Sequence, residues 1–388
     1  MENLVQFSWL NTPGVQRVSQ ALGGENLRFV GGCVRDSLLG RPVNDLDACT
    51  PFSPDEVMSR LQKADINVIP TGLKHGTVTA VASGTSIEIT TLRRDVETDG
   101  RRAEVSFTED WSEDAKRRDF TINALYLTVE GAIYDPVGGL GDLKESRVRF
   151  IGKPRERIGE DALRILRFFR FTLGYSNGPP DPEGLAAALE KMAMLKILSK
   201  ERIRDELVKI LEHPDPSSIL DLMRKSGCFP YVLPEKFWVS VPLKHMKNTN
   251  ANVRFLSLIR REKKVVKEAA KILRLKNSTR AHLLNILDCQ DVLKEAVTQY
   301  GLLYCLYYFG RLALEDALIL CGEESKVHKL PQSLTFPLKG KDLIEAGNQA
   351  GPVIGKMLKD LEIEWLKSEC RKTKEQLLKL AAAYPSIW

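Results

Sequence analysis

Short β-branched runs bounded by glycines fill the first ~145 residues of this chain and then stop, which limits the fold more than any other feature. Leu27-Arg28-Phe29-Val30, Thr77-Val78-Thr79-Ala80-Val81 and Ser86-Ile87-Glu88-Ile89-Thr90 read as strands, because branched side chains suit a pleated surface. Glu56–Ala64 reads as a helix with Ser53-Pro54 at its start. Beyond residue 150 the apolar residues recur at helical spacing. That spacing predicts helices over Glu160–Leu173, Glu183–Met194, Lys200–Glu212, Ser217–Lys225 and Asn252–Arg274, then Thr279–Gln299, Gly301–Cys321, Lys341–Ala346, Gly351–Lys367 and Arg371–Ala382. Proline and glycine clusters at 178–182, 213–216 and 331–337 mark breaks. The expected fold class is α+β: a mixed head, then an all-helical remainder.

A chain of 388 residues admits roughly two or three domains. With 43% hydrophobic and 28% charged residues it has the composition of a soluble globular protein. No apolar run approaches the roughly 20 residues that span a bilayer, so no membrane partner is expected. The first residues, Met1-Glu2-Asn3-Leu4, carry no basic stretch, and no signal or transit peptide is expected. Seven cysteines, none in a CxxC pair, fit reduced thiols in the cytoplasm, and the isolated histidines argue against a zinc site. The net charge of +6 is a weak pointer to a polyanion. Residues Arg260 to Arg280 carry nine Lys/Arg against two Glu, which describes either a solvated helix face or a phosphate-contacting surface.

The first chemical motif is Phe29-Val30-Gly31-Gly32-Cys33-Val34-Arg35-Asp36, followed by Asn44-Asp45-Leu46-Asp47. A strand runs into Gly31 and Gly32 and a helix starts just after. Glycines let backbone N–H groups approach a phosphate, and Arg35 adds a charged donor. Asp45 and Asp47 alternate along an expected second strand, so both side chains share a face. Two carboxylates there are suited to Mg²⁺, which takes oxygen ligands and shares its shell with phosphates. Each element alone also describes a common turn. Together they resemble the polymerase-β-like nucleotidyltransferase superfamily, whose small twisted sheet carries carboxylates at its rim. Glu88 is either a third carboxylate near the metals or a solvent-facing strand residue, and His75 reads as a turn residue.

Further on, Glu113-Asp114-Ala115-Lys116-Arg117-Arg118-Asp119-Phe120-Thr121-Ile122-Asn123 leads from charge into apolar sequence. Arg118 is suited to clamp phosphates, while Asp119 and Asn123 are suited to hydrogen-bond a ribose. A surface ion-pair cluster is the alternative. In this order the motifs resemble the class II tRNA nucleotidyltransferases, a family of CCA-adding, CC-adding and A-adding enzymes and bacterial poly(A) polymerases. The likeness continues through Gly159-Glu160-Asp161-Ala162-Leu163-Arg164-Ile165-Leu166-Arg167-Phe168-Phe169-Arg170-Phe171 and Glu201-Arg202-Ile203-Arg204-Asp205-Glu206-Leu207. It implies a polymerase-β-like head (1–145), then an elongated all-helical neck (146–215), body and tail (216–388). It also implies addition of C, C and A to the 3′ end of tRNA from CTP and ATP, with Mg²⁺ ions and release of pyrophosphate by a two-metal mechanism. The expected partners are the tRNA 3′ end and acceptor arm, with no obligate protein partner.

On one helix Asp161 and Arg164 would be neighbours at i and i+3. A carboxylate accepts hydrogen bonds and a guanidinium donates them. Cytosine and adenine each present an amino donor beside a ring-nitrogen acceptor, which matches that pair. Uracil and guanine present the reverse, at about 1–3 kcal/mol per unsatisfied buried group. In the family this Glu-Asp-x-x-Arg motif is the template for the incoming base. The resemblance assigns Arg167 and Arg170 to the nucleotide site as well; a salt-bridged helix surface is the alternative. Ile165, Leu166, Phe168 and Phe169 read as core. The Glu201–Glu206 run reads as an ion-pair brace without direct chemistry.

Arg93–Glu104 is charged and turn-rich, an exposed loop on its own terms. In the family a flexible loop here is associated with switching from C to A, and CC-adding members have it shortened. No general base accompanies the carboxylates, and none is required where a metal lowers the pKa of the attacking hydroxyl. An A-adding enzyme or poly(A) polymerase is the nearest alternative, and a non-catalytic RNA-binding module the alternative of another class.

Overall fold

A computed structural model describes residues 5–98, 103–239, 247, 249–294 and 297–383. The chain divides into two compact units. One runs to Ile210 and includes Ser218–Val232; the other holds Leu211–Ser217 and the chain from Leu233 on.

The first unit opens with α1 (Pro13–Leu22), β1 (Arg28–Val30), α2 (Gly32–Leu38), β2 (Leu46–Thr50), α3 (Pro54–Lys63), β3 (Asn67–Gly72), β4 (Thr77–Ala82) and β5 (Thr85–Thr91). It continues with β6 (Arg93–Thr98), β7 (Ala103–Phe107), α4 (Trp111–Lys116), β8 (Tyr126–Leu127), β9 (Ile133–Tyr134) and α5 (Gly139–Lys144). Among the described residues β1–β5, β8 and β9 form a seven-stranded sheet in the order β3-β4-β5-β2-β1-β8-β9. Its pairs are antiparallel except β2 with β5.

One face of the sheet is apolar. Val78, Ala80, Ile87, Ile89 and Ala48 are buried there, with α1 and α3 packed against the strands through Val15, Val18, Val57 and Leu61. Gly14 makes the approach of α1 possible, since a Cβ would stand 2.3 Å from the Ala82 carbonyl oxygen. The alternate residues of β2 and β5, Asp47 and Glu88, face the other way, so the apolar period that builds the core also presents the carboxylates.

Three helices of the first unit complete the site: α6 (Pro154–Glu160), α7 (Leu163–Tyr175) and, after α8 (Pro182–Lys191), α9 (Lys200–Glu212), the last ending across the unit boundary. Phe120, Phe150 and Phe168 join α7 to the segment after α4, with ring centroids 4.8 and 5.4 Å apart for Phe120–Phe150 and Phe150–Phe168. Ile165, Leu166, Phe168 and Phe169 are all buried, as expected of core. The unit closes with α10 (Ser217–Lys225) and α11 (Phe229–Val232).

The second unit is helical: α12 (Ala251–Leu258), α13 (Lys263–Ile272), α14 (Asn277–Leu293), α15 (Gln299–Phe309), α16 (Arg311–Cys321), α17 (Gly340–Glu345), α18 (Pro352–Lys367) and α19 (Lys374–Ala382). Buried Asp316 accepts hydrogen bonds from Asn250 at 2.5 Å and pairs with His282 at 2.8 Å, tying three elements together. Leu343, Ile354, Met357, Leu361, Trp365 and Leu377 form a further core around α17 to α19. Among the described residues no helix is long and apolar enough to cross a membrane.

Several expected elements differ. The helix over Asn252–Arg274 breaks at Ile259, which is extended and bridges Trp238. The helix over Gly301–Cys321 breaks at Gly310, whose φ of 83° lies in the left-handed half of the map that favours glycine. The helix over Glu160–Leu173 breaks at Asp161. The Arg93–Glu104 loop is largely an antiparallel pair, β6 with β7, and residues 99–102 lie outside the described residues.

Candidate active site

Asp45 directly precedes β2, and Asp47 is the second residue of that strand. The strand therefore starts one residue later than the alternation suggested, without moving either carboxylate off the same side. β2 runs parallel to β5 with Asp47 beside Glu88. Register neighbours share a sheet face, so Glu88 stands next to Asp47. The Asp47 carboxyl is accessible to solvent, yet it titrates above its ordinary range. Loss of water around it is the largest cause, the Glu88 charge adds to it, and Asp45 adds a little more, while Arg118 pulls the other way. Among the described residues no complete set of three metal-ligating side chains is assembled.

Gly31 ends β1 with φ 76° and ψ −124°, a conformation that favours glycine, and turns the chain into α2. A Cβ on Gly32 would meet nothing nearer than an Arg35 nitrogen at 3.8 Å, so the protein itself leaves this backbone open. Arg35 is only 6% exposed. It grips Asp36 through two bonds of 3.0 and 2.8 Å and donates to the Asn123 side-chain oxygen at 2.5 Å. It also lies over the Tyr175 ring at 4.0 Å. Arg35 thus reaches the site as a largely committed group, not as a free donor.

The 113–123 motif is not a surface cluster. Asp114 is 0% exposed and accepts from Arg117 at 2.8 Å, from Arg118 at 3.0 and 3.2 Å, and from the Tyr126 hydroxyl at 2.7 Å. The Arg93 amide, where β6 begins, reaches the same carboxylate at 3.4 Å. Burial opposes ionisation of Asp114, but the Arg118 and Arg117 charges and the Tyr126 hydrogen bond outweigh it, and the pKa falls to about 2. Arg118 spans from Asp114 to the Cys49 sulfur at 3.2 Å on β2.

Asp119 accepts from its neighbour's amide, Phe120, at 2.9 Å, from Asn123 at 2.9 Å and from Arg167 at 2.7 Å. Burial works against its charge, but Arg167 and these bonds prevail and hold the carboxyl below its ordinary range. Glu206, 3% exposed, accepts from Arg170 at 2.6 Å and lies 3.8 Å from Arg167. That is the ion-pair bracing read from the Glu201–Glu206 run.

Asp161 is extended, with φ −148° and ψ 106°, between α6 and α7. The expectation of an i, i+3 pair on one helix is therefore corrected. Asp161 accepts from the Leu163 amide at 3.1 Å with one oxygen and from Arg202 at 2.7 Å with the other. A short acceptor just ahead of an apolar run competes with the preceding helix for backbone donors, and here it starts a new one. Arg164 donates to Glu160 at 2.6 Å, to the Arg157 carbonyl at 2.7 Å and to the Arg117 carbonyl at 3.0 Å. Each member of the pair is held by its own partners.

An open cleft of about 810 Å³ gathers these groups. Gly31, Gly32, Arg35, Asp45, Asp47, Arg118, Asp119, Asn123, Asp161, Arg164, Arg167 and Arg170 all border it, so every residue singled out from the sequence is brought to one place. Glu88, Arg93, Arg117, Phe171 and Lys209 border it too. Carboxylates stand on the sheet side and guanidinium groups surround them, an arrangement suited to a polyanion carrying a metal.

Residues 27–149 match the family described as the Poly A polymerase head domain, and residues 181–237 match one described as a probable RNA- and SrmB-binding site of polymerase A. A mouse protein named CCA tRNA nucleotidyltransferase 1, mitochondrial, is 35% identical over 393 residues, covering 96% of this chain and 91% of its own length. The chain belongs to the CCA-adding enzyme family. A CCA-adding enzyme of Levilactobacillus brevis is 31% identical, covering 97% of this chain and 98% of the relative. The crystal structure of the Bacillus stearothermophilus CCA-adding enzyme in complex with CTP superposes with a TM-score of 0.75 at 27% identity, covering 97% of this chain and 98% of that one.

Behind the cleft wall stand supporting residues to which sequence reasoning gave no role of their own. Asp114 was hidden among exposed-looking charges. Arg157 and Glu160 lie just ahead of the Asp161 break. Arg202, read only as part of a brace, holds Asp161 directly. An acid followed three and four residues on by arginines, as in Asp114, Arg117 and Arg118, was the available signal for a helix-spaced ion pair.

Proposed function

We propose that this chain adds C, C and A to the 3′ end of tRNA from CTP and ATP, without a nucleic-acid template and with release of pyrophosphate. The observation that carries the reading is the cleft in which Asp161 and Arg164, separately anchored, face the same space as Asp45 and Asp47. The relatives' names, CCA-adding enzyme and CCA tRNA nucleotidyltransferase, favour this over A addition alone or poly(A) synthesis. Residues 1–145 act as the catalytic head, 146–215 as the nucleotide-selecting neck and 216–388 as the tRNA-binding body and tail. The seven cysteines, none in a CxxC pair, support a reducing compartment, the cytoplasm in this reading.

Asp45 and Asp47 would hold Mg²⁺, with Glu88 adding negative charge beside them. The fit rests on the chemistry of the donors: clustered carboxylate oxygens, with the Asp47 pKa raised first by loss of water and then by the Glu88 charge, suit a hard dication. A bound divalent ion supplies Lewis-acid activation of the attacking 3′-hydroxyl and charge for the leaving pyrophosphate. The chain's own groups do the rest. The Gly31–Gly32 turn gives an open backbone for phosphate; α2 is only seven residues long, so little is asked of its dipole. Arg118, Arg167 and Arg170 supply positive charge, and the Asp119–Asn123 pair presents hydrogen-bonding groups to the ribose. Asp161 accepts from the base amino group and Arg164 donates to its ring nitrogen.

Base choice is tested by single-nucleotide addition to tRNA lacking its end. With Asp161→Ala, the preference for CTP over UTP is expected to fall by about tenfold to a hundredfold, the loss of one buried hydrogen-bonding partner. An Asp161→Ala protein as selective as wild type would remove Asp161 from base reading.

The tRNA surface has its own test. Lys264, Lys267 and Lys271 form one exposed face of α13, opposite buried Val265, Val266, Ala269 and Ala270. No ion pair engages these three lysines among the described residues, unlike Lys263, which pairs with Asp288 and Asp291. Changing all three to Glu is expected to weaken tRNA binding and to make its logarithmic salt dependence shallower by about 2, at roughly 0.7–0.9 per lost phosphate contact. Filter binding across a salt series measures this, with NTP choice unaffected. Unchanged affinity and slope would exclude this face.

A further inference from the structure

We infer that Arg157 is a positioning residue for base selection and acts through Arg164. This rests on the activity proposed above and extends it to a group behind the cleft wall. Arg157 is 8% exposed and is not among the residues that border the cleft. Its Nη1 donates to Glu160 Oε2, and its Nη2 donates to the carbonyls of Arg117 and Arg118, the latter at 2.9 Å.

Arg164 uses the same anchor points. Its Nη1 donates to that same Glu160 oxygen at 2.6 Å, and its Nη2 to that same Arg117 carbonyl at 3.0 Å. The main-chain carbonyl of Arg157 takes a further bond from Arg164 at 2.7 Å. The two guanidinium groups therefore share one carboxylate oxygen and one backbone oxygen.

The break at Asp161 gives this lock its purpose. Asp161 lies outside both helices, so regular helix geometry does not set its spacing from Arg164. Asp161 is held by Arg202 and by the start of α7. Arg164 is held by Glu160 and by the Arg117 carbonyl, and Arg157 fixes where both of those stand. A reader that rejects uracil and guanine must refuse to move when the wrong edge arrives. Arg157 makes Arg164 rigid in that sense. A planar fork is suited to reach three acceptors at once, which a lysine ammonium on a flexible stem is not.

The experiment measures single-turnover incorporation of CTP and UTP, separately, onto tRNA lacking its end, for wild type, Arg157→Gln, Arg157→Lys, Glu160→Ala and the Arg157→Gln/Glu160→Ala double variant. In Arg157→Gln the CTP-over-UTP ratio of kcat/KM is expected to fall by about tenfold or more, while kcat with CTP changes far less. Arg157→Lys recovers only part of the ratio. The double variant falls no further than the worse single variant, because both act through one lock. A folded Arg157→Gln protein with the wild-type ratio, or with kcat lowered equally for both nucleotides, overturns the inference. Should Arg157→Gln not fold, Arg157→Lys is read in its place, and an unchanged ratio there overturns it equally. Wild-type protein that uses neither CTP nor ATP would instead sink the proposed activity, so the two failures are distinguishable.

Discussion

Asp47→Asn is expected to lower nucleotide incorporation by about a thousandfold or more while leaving the melting temperature of the free protein unchanged or higher. The loss follows from removing one of the two carboxylates proposed to hold the metal beside the reacting phosphates; several kcal/mol of charge stabilisation, at about 1.4 kcal/mol per factor of ten, gives that size. The stability half follows from the raised pKa. The folded protein holds the Asp47 proton more tightly than the unfolded chain does, because the fold thins the water around it and sets the Glu88 charge beside it. Stability is therefore lost as pH rises through that pKa, and at neutral pH the ionised carboxylate opposes folding. Asparagine never ionises, so the opposition disappears. This is the balance expected where charge is held together for function at the expense of the fold. Steady-state incorporation and a thermal melt in metal-free buffer measure both halves. Retained activity, or a clear drop in melting temperature, would contradict the assignment.

Asp114→Ala is expected to act in the opposite way, through the fold first. It leaves Arg117, Arg118 and Tyr126 facing a buried space with no counter-charge, a loss of about 3–5 kcal/mol. Arg118 would lose the anchor that holds it beside Cys49 and the carboxylates, so activity falls with stability. The same group predicts a pH dependence. Its folded pKa of about 2 lies below the unfolded value, so its contribution is full above about pH 4 and is lost as pH falls towards 2. The contribution is about 2 kcal/mol. Urea midpoints measured for wild type and variant between those pH values should converge as acid is added. Midpoints that differ by the same amount throughout, or never differ, would show that Asp114 is not the buried anchor.

These two residues show what was legible in the sequence and what was not. Asp47 was legible because it alternates with Asp45 along an expected strand, close after the Gly31-Gly32 turn and Arg35. The Lys200–Glu212 and Ser217–Lys225 helices have the spans their periodicity predicted. Asp114 was not legible as buried, because a run of charges looks the same whether solvent or arginine surrounds it. Burial there depends on Tyr126 and on strand β2, both distant in sequence. The break at Asp161 was masked for a related reason: the apolar spacing of Ile158, Ala162, Ile165 and Phe169 continues across it, and only the backbone records the stop. Ile259 fails as a helix residue because it bridges Trp238, a partner that periodicity cannot see. The β6–β7 pair was read as a loop because its polar, turn-rich sequence carries no alternating core face.

Product analysis of one reaction tests the central claim most directly. Purified protein is mixed with tRNA lacking its 3′ end, all four NTPs and Mg²⁺, and the extended RNA is sequenced at its terminus. Addition of C, then C, then A, followed by a stop, with neither U nor G incorporated and no extension in the Asp47→Asn protein, is the predicted result. No extension with Mg²⁺ present, a single A added only to tRNA already ending in CC, or a long A tail on unrelated RNA would contradict it.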